Sequence, residues 1–193
     1  MTGSVNNSFY FNGFYNYSFS MGFVNATDGS LTGVINGPGV DDAISAAMPI
    51  SGNQVAMARY SYLENQVIPS YDINVNGTQV TGDLDGLTFD ELTQQAKIRI
   101  KRVTVGNKSV AIYGTETKSG QVLLLAYDLA DQSLVGTRYV GHGQPYEMAD
   151  FAATQDGGLI VLASTQITGR FPRLALFKLS KEDLETLAGV VAQ

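Results

Sequence analysis

The 193-residue sequence has no cysteine and no tryptophan, and its one histidine is His142. Without cysteine the chain has no disulfide framework, thiolate zinc site or thiol nucleophile. A single histidine also excludes a metal site built from several histidines within one chain. Charged residues make up only 16% of the sequence and hydrophobic residues 44%. This balance excludes a charge-rich disordered protein, which would bury too little apolar surface to fold.

The charge balance and the length of the apolar segments exclude two further classes. The chain carries 12 basic and 18 acidic side chains, a formal net charge of −6, whereas a nucleic-acid-binding protein usually shows a basic stripe. No segment approaches the roughly 18 consecutive apolar residues of a membrane-spanning helix. We therefore expect neither a nucleic-acid partner nor a membrane span.

The composition favours an exported bacterial protein. Absence of cysteine, combined with many Asn, Thr, Gly and Tyr residues, is typical of proteins of the bacterial envelope or exterior. The polar segment from Met1 to Asn7 lacks the basic, apolar and small-residue order of a signal peptide. We expect an extracellular, periplasmic or outer-membrane-associated protein, such as a lipoprotein, whose export signal precedes this numbering.

Short apolar segments recur along the chain. One is a strand-like segment with an aromatic residue near its end. These aromatic residues are 48, 56 and 50 residues apart, at Phe23, Tyr71, Tyr127 and Phe177. A second apolar segment begins 14 to 17 residues before each of them, at Phe9, Val55, Val110 and Ile160. Two independent segments that keep the same register indicate an internal repeat.

Turn residues complete each repeat. Glycine and asparagine tolerate the positive φ of tight hairpins, and such turns follow an apolar strand at Ser51-Gly52-Asn53, Gly106-Asn107-Lys108 and Asp156-Gly157-Gly158. A weaker last segment ends on glycine in every repeat, at Gly33, Gly82, Gly136 and Gly189. No such first strand precedes Phe9, so we expect the first repeat to be incomplete.

The repeat predicts an all-β fold. Four short antiparallel strands that recur about every 40–50 residues are the pattern of a propeller blade. We expect one β-propeller-like domain of four four-stranded antiparallel units, at about 1–40, 41–96, 97–146 and 147–193. The alternative is a β-sandwich with coincidental spacing. The incomplete first unit implies a piece of a larger propeller with blades upstream, an open array or small ring, or a homodimer that completes one ring.

Two segments resemble a known family. Asp156 to Leu162, followed by Leu174 to Leu179, resembles the blade repeat of secreted bacterial β-propellers. Tyr71-Asp72 and Tyr127-Asp128 are similar to the Trp-Asp dipeptide that ends the third strand of WD-type blades. The sequence departs from that pattern in having no tryptophan and in carrying Phe177-Lys178 at the fourth position.

Two segments have helical character. Thr88 and Glu91 form a capping-box pattern that predicts one or two helical turns up to Ala96. The segment from Ser180 to Leu187 is either a short helix or the last strand of the fourth unit, and its pattern does not decide between them.

Five residues are candidates for ligand binding, namely His142, Tyr146, Arg99, Lys101 and Asp150. His142 and Tyr146 lie in a flexible connection between units, where propellers often bind ligands, although His142 also fits a merely exposed loop position. Arg99 and Lys101, together with Lys97, share one face of a strand. That face presents cations to an anionic ligand or to Asp150 and Asp42 of neighbouring units. Alternatively, the strand lies at the edge of a sheet and its charges protect that edge.

Acidic and aromatic clusters offer weaker signals. Asp83, Asp85, Asp90 and Glu91 surround Gly86, but their spacing does not match a calcium loop and favours a solvated loop, so we expect no metal site. Eight of the nineteen aromatic residues lie in the first 23 positions. They form an exposed patch or simply fill the first unit.

These features favour a non-catalytic binding scaffold that presents loops to a protein, a glycan or a small ligand. No catalytic residue and no cofactor is expected. A propeller enzyme, such as a carbohydrate lyase or hydrolase, is the alternative, and it predicts several polar side chains converging near His142, Arg99 or Asp150. A structural piece of a larger assembly is a second alternative, and it predicts an exposed apolar edge near Phe9 to Phe23.

Overall fold

A computed structural model describes residues 2–15, 18–37, 39, 42–94, 96–166 and 171–190. Among these residues strands make up 61%, and there is one short α-helix. The strands form four sheets, so the prediction of an all-β protein with repeated sheets is confirmed. The chain divides into two compact units, Met1–Phe89 and Asp90–Gln193.

The first unit contains two sheets. The first sheet has the order β1-β2-β3-β4-β8, and its strands are Thr2–Val5, Ser8–Tyr15, Ser18–Asn25, Leu31–Asn36 and Thr78–Val80. All its pairs are antiparallel except β4 with β8, which is parallel. The second sheet has the order β5-β6-β7-β9, and its strands are Asp42–Ser51, Gln54–Ser61, Glu64–Asp72 and Leu87–Thr88. A 3-10 turn at Thr81–Asp83 follows β8.

The second unit also contains two sheets. The third sheet has the order β10-β11-β12-β13, and its strands are Arg99–Val105, Lys108–Glu116, Val122–Asp128 and Leu134–Val140. The fourth sheet has the order β14-β15-β16, and its strands are Tyr146–Ala153, Leu159–Thr165 and Arg173–Leu179. The single helix, α1 at Lys181–Leu187, follows β16 directly.

The hairpin turns lie where glycine predicts them. Gly52, Gly106 and Gly157 have φ values of 54°, 61° and 82°, and each lies between the first two strands of its sheet. This backbone conformation is costly for residues with a Cβ atom but not for glycine. The turn residues therefore fix the register of these three hairpins.

Alternation along the strands builds a separate core in each unit. In the first unit, side chains of the first and second sheets pack together, among them Tyr10, Phe23, Met57 and Ile68. In the second unit, the third and fourth sheets pack together around Ile112, Leu124, Phe151 and Val161, and α1 adds Leu184 and Leu187. Because successive residues of a strand point to opposite faces, each sheet offers one face to its core.

One buried ion pair lies inside the first unit. Asp42 and Arg59 are both buried, and Arg59 donates to the two carboxylate oxygens of Asp42 over 2.8 and 2.5 Å. Arg59 also donates to the carbonyl of Leu84 and to the hydroxyl of Ser61, each over 3.3 Å. These bonds use the donors of the guanidinium fork, which is what a buried cation requires.

The expectation that the first unit lacks a first strand is wrong. Thr2–Val5 forms β1 and pairs antiparallel with β2, with Val5 opposite Ser8. The segment is short and mostly polar, but strand pairing uses backbone groups and needs no apolar run. Only Val5 of β1 is buried, which is why hydrophobic pattern does not reveal this strand.

The helical turns predicted from Thr88 to Ala96 are absent from the described residues of that segment. Thr88 belongs to β9 and pairs with Gln66, and Leu92 forms an isolated bridge with Thr117. The pairing of Thr88 with β7 and the isolated bridge of Leu92 to Thr117 outweigh a local capping pattern, because a capping box of this kind contributes little without tertiary packing.

Two of the predicted last strands are also corrected. The segment that ends on Gly82 contains β8, but β8 pairs with β4 of the first sheet, and β9 closes the second sheet instead. The segment before Gly189 is α1, with Ser180 and Asp183 forming a capping box. The fourth sheet consequently has three strands among the described residues, rather than four.

Candidate functional site

Arg99, Lys101 and Asp150 lie at the junction between β10 and β14. The Nζ atom of Lys101 is 2.7 Å from Oδ1 of Asp150, and it lies 5.5 Å from the centre of the Phe151 ring. Nε of Arg99 donates to the carbonyl of Ala149 over 3.4 Å. The cations of this strand thus meet a carboxylate of the neighbouring sheet.

The electrostatics of this junction favour the charged pair. Partial burial acts to raise the pKa of Asp150, but the hydrogen bond from Lys101 and the charges of Lys101 and Arg99 outweigh it and lower the pKa. Asp42 does not supply a comparable free carboxylate, because Arg59 binds it inside the first unit. A role of Arg99, Lys101 and Asp150 in ligand binding remains a prediction.

His142 and Tyr146 occupy different surroundings although they are close in sequence. His142 is exposed, between Gly141 and Gly143, which have φ values of 91° and 75°. Tyr146 begins β14, and its ring packs edge-on against Phe177 at 5.1 Å. The Tyr146 ring also covers Gly141, where an added Cβ would lie 2.5 Å from it. Tyr146 is therefore a fixed aromatic surface.

Tyr146 lines a cavity of about 780 Å³ in the second unit. The cavity lies where β11 ends, β12 begins, β14 begins and β15 ends. Its walls comprise Thr93, Glu116, Thr117, Lys118, Gly120, Pro145, Tyr146, Glu147, Ser164, Thr165, Gln166 and Pro172. In antiparallel sheets the end of one strand and the start of the next meet at the same edge, so residues distant in sequence converge here. His142, Arg99, Lys101 and Asp150 are not among these wall residues.

Glu116 is the most perturbed acid of the cavity. Its Oε1 atom accepts a hydrogen bond from the backbone N–H of Met148 over 2.9 Å. Burial raises the pKa of Glu116, and the nearby charge of Glu147 adds to this effect, whereas the Met148 hydrogen bond and the charge of Lys97 oppose it. The cavity therefore has two carboxyl groups that interact unfavourably when both are ionised.

The remaining polar groups hold the walls in place. The hydroxyl of Thr93 donates to the carbonyl of Glu116 over 3.1 Å, and that of Thr165 donates to the carbonyl of Pro145 over 2.7 Å. Nζ of Lys118 donates to the carbonyl of Asp90 over 2.5 Å. These bonds fix the loops. Lys118 keeps its positive charge, because a carbonyl partner does not neutralise an ammonium group, so the cavity walls carry one cation beside the two carboxyl groups.

The sequence favours a solvated acidic loop around Gly86 rather than a metal site, and the structure describes all four of its acidic residues. Within the described ranges, no group of three or more His, Asp or Glu side chains is placed to hold a metal ion. Asp83 and Asp85 belong to the first unit, and Asp90 and Glu91 to the second. Glu91 instead accepts from the hydroxyl of Tyr139, at 2.9 and 2.8 Å to its two oxygens.

The aromatic cluster near the start of the chain is partly exposed. Phe9 and Phe11 are 54% and 46% exposed, whereas Tyr10 and Phe23 are buried. This split follows from strand alternation. Residue Tyr17 and the side chains of Phe14, Tyr15 and Phe19 lie outside the described part of the chain.

Sequence reasoning missed Glu116 and Glu147. Glu116 ends β11 and Glu147 lies next to Tyr146, but the two are distant in sequence and form no motif. The only available signal was Tyr146, in the connection already singled out. No protein-family model and no curated protein matches the chain. Among the described helices, none is long and apolar enough to cross a membrane.

Proposed function

We propose that the protein is a non-catalytic binding scaffold of the bacterial envelope or exterior, built as a β-propeller-like array. The cavity beside Tyr146 binds a small polar ligand that carries a positive charge. Four sheets that follow chain order except for β8, three of them opening with a glycine-turn hairpin, support the blade-like arrangement. The exported location is supported by composition alone.

The observation that carries the proposal is the cavity itself. Its volume of about 780 Å³ falls in the range of about 300–1,000 Å³ typical of small-molecule sites. Its walls offer the Tyr146 ring, two carboxyl groups and Lys118, whose ammonium group donates to the backbone carbonyl of Asp90. An ammonium group placed beside Glu116 and Glu147 would relieve their mutual repulsion, and an aromatic ring favours a sugar face or a cation.

The test compares glucosamine, glucose and n-butylamine as probes in calorimetric titrations at pH 7. We expect glucosamine to bind and glucose to bind at least about tenfold more weakly, a difference of about 1.4 kcal/mol. Binding of butylamine would show that the positive charge of a ligand suffices. If butylamine does not bind, the sugar ring of glucosamine is also needed. Glu116→Gln keeps an oxygen acceptor for Met148 but removes the charge, so it should weaken glucosamine binding.

Glu64→Gln is the matched control, because Glu64 is an exposed glutamate of β7 in the first unit. It should leave binding unchanged. If glucosamine and butylamine both fail to bind at millimolar concentration, or if the two variants behave alike, the proposed cationic ligand is wrong.

A carbohydrate hydrolase is the second candidate. The raised pKa of Glu116, with Glu147 on the same cavity wall, is the feature that glycosidases use for a general acid beside a second carboxylate. Chromogenic glycosides test this alternative. Turnover that disappears in both Glu116→Gln and Glu147→Gln would favour the enzyme, whereas absence of turnover across a glycoside panel would reject it.

A further inference from the structure

The fourth sheet ends on β16, a strand with a free edge. The strand Arg173–Leu179 pairs with β15 along its whole length, and no strand among the described residues pairs with its other edge. An edge strand presents a row of backbone N–H and C=O groups that can pair with another chain. The fourth sheet also has fewer strands than the other three.

The central residues of β16, Leu174 to Phe177, carry no charge that would protect this edge. Leu174 and Leu176 point to the same face of the sheet and are 81% and 65% exposed. The helix α1 covers neither leucine. The pairing of β15 with β16 has no bulge, and the strand contains no proline. Proteins usually shield edge strands with charge, proline, bulges or short length.

Other outer strands of the four sheets carry such protection. β9 has only two residues and β1 has four. β14 has a register shift between Met148 and Asp150, and β10 carries Arg99, Lys101 and Arg102. By comparison, β16 is long, regular and apolar in its centre.

The charges at the ends of β16 are arranged so that the strand can pair with itself. Arg173 is its first residue and Lys178 its last but one. In an antiparallel pair centred on Leu176, all seven residues pair, with Leu176 opposite Leu176 of the second copy. Leu174 then lies opposite Lys178 of the second copy, and Arg173 lies opposite its Leu179. No two cations are directly opposite, so the pairing avoids like-charge repulsion.

The positive charge of Lys178 is balanced by a carboxylate of its own sheet. Its Nζ atom forms an ion pair with Asp156 at 2.5 Å and a hydrogen bond with Thr154. The aliphatic stem of Lys178 remains available to cover a leucine while its ammonium group stays bound, as long cationic side chains commonly do.

We propose that β16 is a homodimerisation edge, which pairs antiparallel with β16 of a second copy across a two-fold axis centred on Leu176. Two sheets of three strands would then form one continuous six-stranded sheet. Two paired seven-residue strands bury less than the roughly 1,600 Å² of a standard interface. The dimer is therefore weak and depends on concentration. This inference does not rest on the proposed ligand cavity.

The absence of cysteine from the chain allows a direct test of the register. Opposite residues of an antiparallel pair have Cα atoms about 4.5–5.5 Å apart, within the range that a disulfide spans. In the proposed pairing, Leu176→Cys places two thiols opposite each other. In Leu174→Cys the two thiols are four residues apart along the strand, about 14 Å at ~3.4 Å per residue.

Both variants replace a mostly exposed leucine on the same face of the same strand, and Leu174 is the more exposed of the two, at 81% against 65%. Under mild oxidation of the full chain we expect Leu176→Cys to form a covalent dimer at least about tenfold faster than Leu174→Cys. Equal rates, or a faster reaction of Leu174→Cys, would overturn the register.

Sedimentation velocity of the unmodified full chain between micromolar and millimolar concentration tests the dimer itself. We expect Leu176→Lys to abolish association, because a lysine at an edge prevents pairing. Leu31→Lys, at a leucine that is 69% exposed in the first sheet, should leave it intact. Circular dichroism should show that both variants are folded. The proposal would be overturned if the chain stays monomeric throughout and its Leu176→Cys variant does not cross-link preferentially. In that case the edge of β16 would pair with a strand of another protein.

Discussion

Tyr127 is a buried side chain whose hydroxyl has no hydrogen-bond partner among the described residues. Its ring packs edge-on against Tyr113 at 5.5 Å, and burial raises its pKa to about 12. A buried hydroxyl without a partner loses its hydration and gains nothing in return. The ring therefore stabilises the second unit, whereas the hydroxyl opposes that stabilisation.

Tyr127→Phe is expected to raise the free energy of unfolding by about 1 kcal/mol, because it removes the uncompensated hydroxyl and keeps the ring. Urea denaturation measures this change. Tyr10→Phe is the matched control, since the Tyr10 side chain is also buried but its hydroxyl donates to the carbonyl of Ala47 over 3.5 Å. We expect Tyr10→Phe not to raise the free energy of unfolding. A loss of stability in Tyr127→Phe would contradict the assignment.

Glu116 predicts a pH dependence of stability. Burial raises its pKa in the folded protein above the usual value, so the folded state binds the proton more tightly than the unfolded state does. Ionised Glu116 therefore destabilises the protein above its folded pKa, and this cost is lost as the pH falls through the folded pKa toward the unfolded one. Glu116→Gln should melt at a higher temperature than the unmodified protein at pH 7.

Melting temperatures of both proteins between pH 4 and pH 8 test this expectation. The difference should shrink as the pH falls, because protonation removes the charge that glutamine also lacks. A difference that is constant over this range would show that the effect of the substitution is steric.

At the scale of single elements, close approaches of the backbone depend on particular glycines. Gly136 lies in β13 beside the end of α1, where an added Cβ would be 2.0 Å from the carbonyl oxygen of Leu187. Gly33 has a similar position in β4, with the carbonyl oxygens of Val75 and Gly77 at 2.6 and 2.7 Å from such an atom. These glycines are required because another segment packs directly on the strand.

Gly136→Ala should lower the free energy of unfolding by about 1–3 kcal/mol, because the added methyl group meets backbone that cannot move like a side chain. Gly82→Ala is the control, since a Cβ there meets nothing within 4 Å and Gly82 has no positive φ. It should change stability little. Chemical denaturation of both variants makes the comparison, and equal effects would show that α1 does not pack closely on β13.

At the scale of the whole molecule, the repeat and the hairpins could be predicted from sequence. The recurring aromatic residues of the strands, such as Phe23 and Tyr127, and the glycines of the turns, such as Gly106, are local signals with a direct structural cause. They were sufficient for an all-β fold with four sheets. Their cause is local, since strand alternation and positive φ do not depend on distant residues.

What could not be predicted depends on contacts between distant segments. β8 pairs with β4 through Val34 and Ile35, and nothing in the sequence of β8 specifies β4 as its partner. The capping-box pattern at Ser180 favours a helix in the segment of α1, but the apolar residues of that segment fit a strand as well. The cavity draws its walls from several loops and strand ends, so Glu116 and Glu147 carry no shared motif.

The parallel pairing of β8 with β4 has a consequence for how the first unit comes apart. β8 follows β7 of the second sheet in the chain, but it pairs in the first sheet. The next strand, β9, belongs to the second sheet again. The stretch of chain that forms the second sheet therefore also supplies an edge strand of the first sheet. The first sheet cannot open at its β4–β8 edge without displacing a segment whose two neighbours in the chain, β7 and β9, belong to the second sheet, so local opening at that edge is suppressed. A disturbance of the β4–β8 pair therefore reaches both sheets, and we expect the first unit to unfold cooperatively.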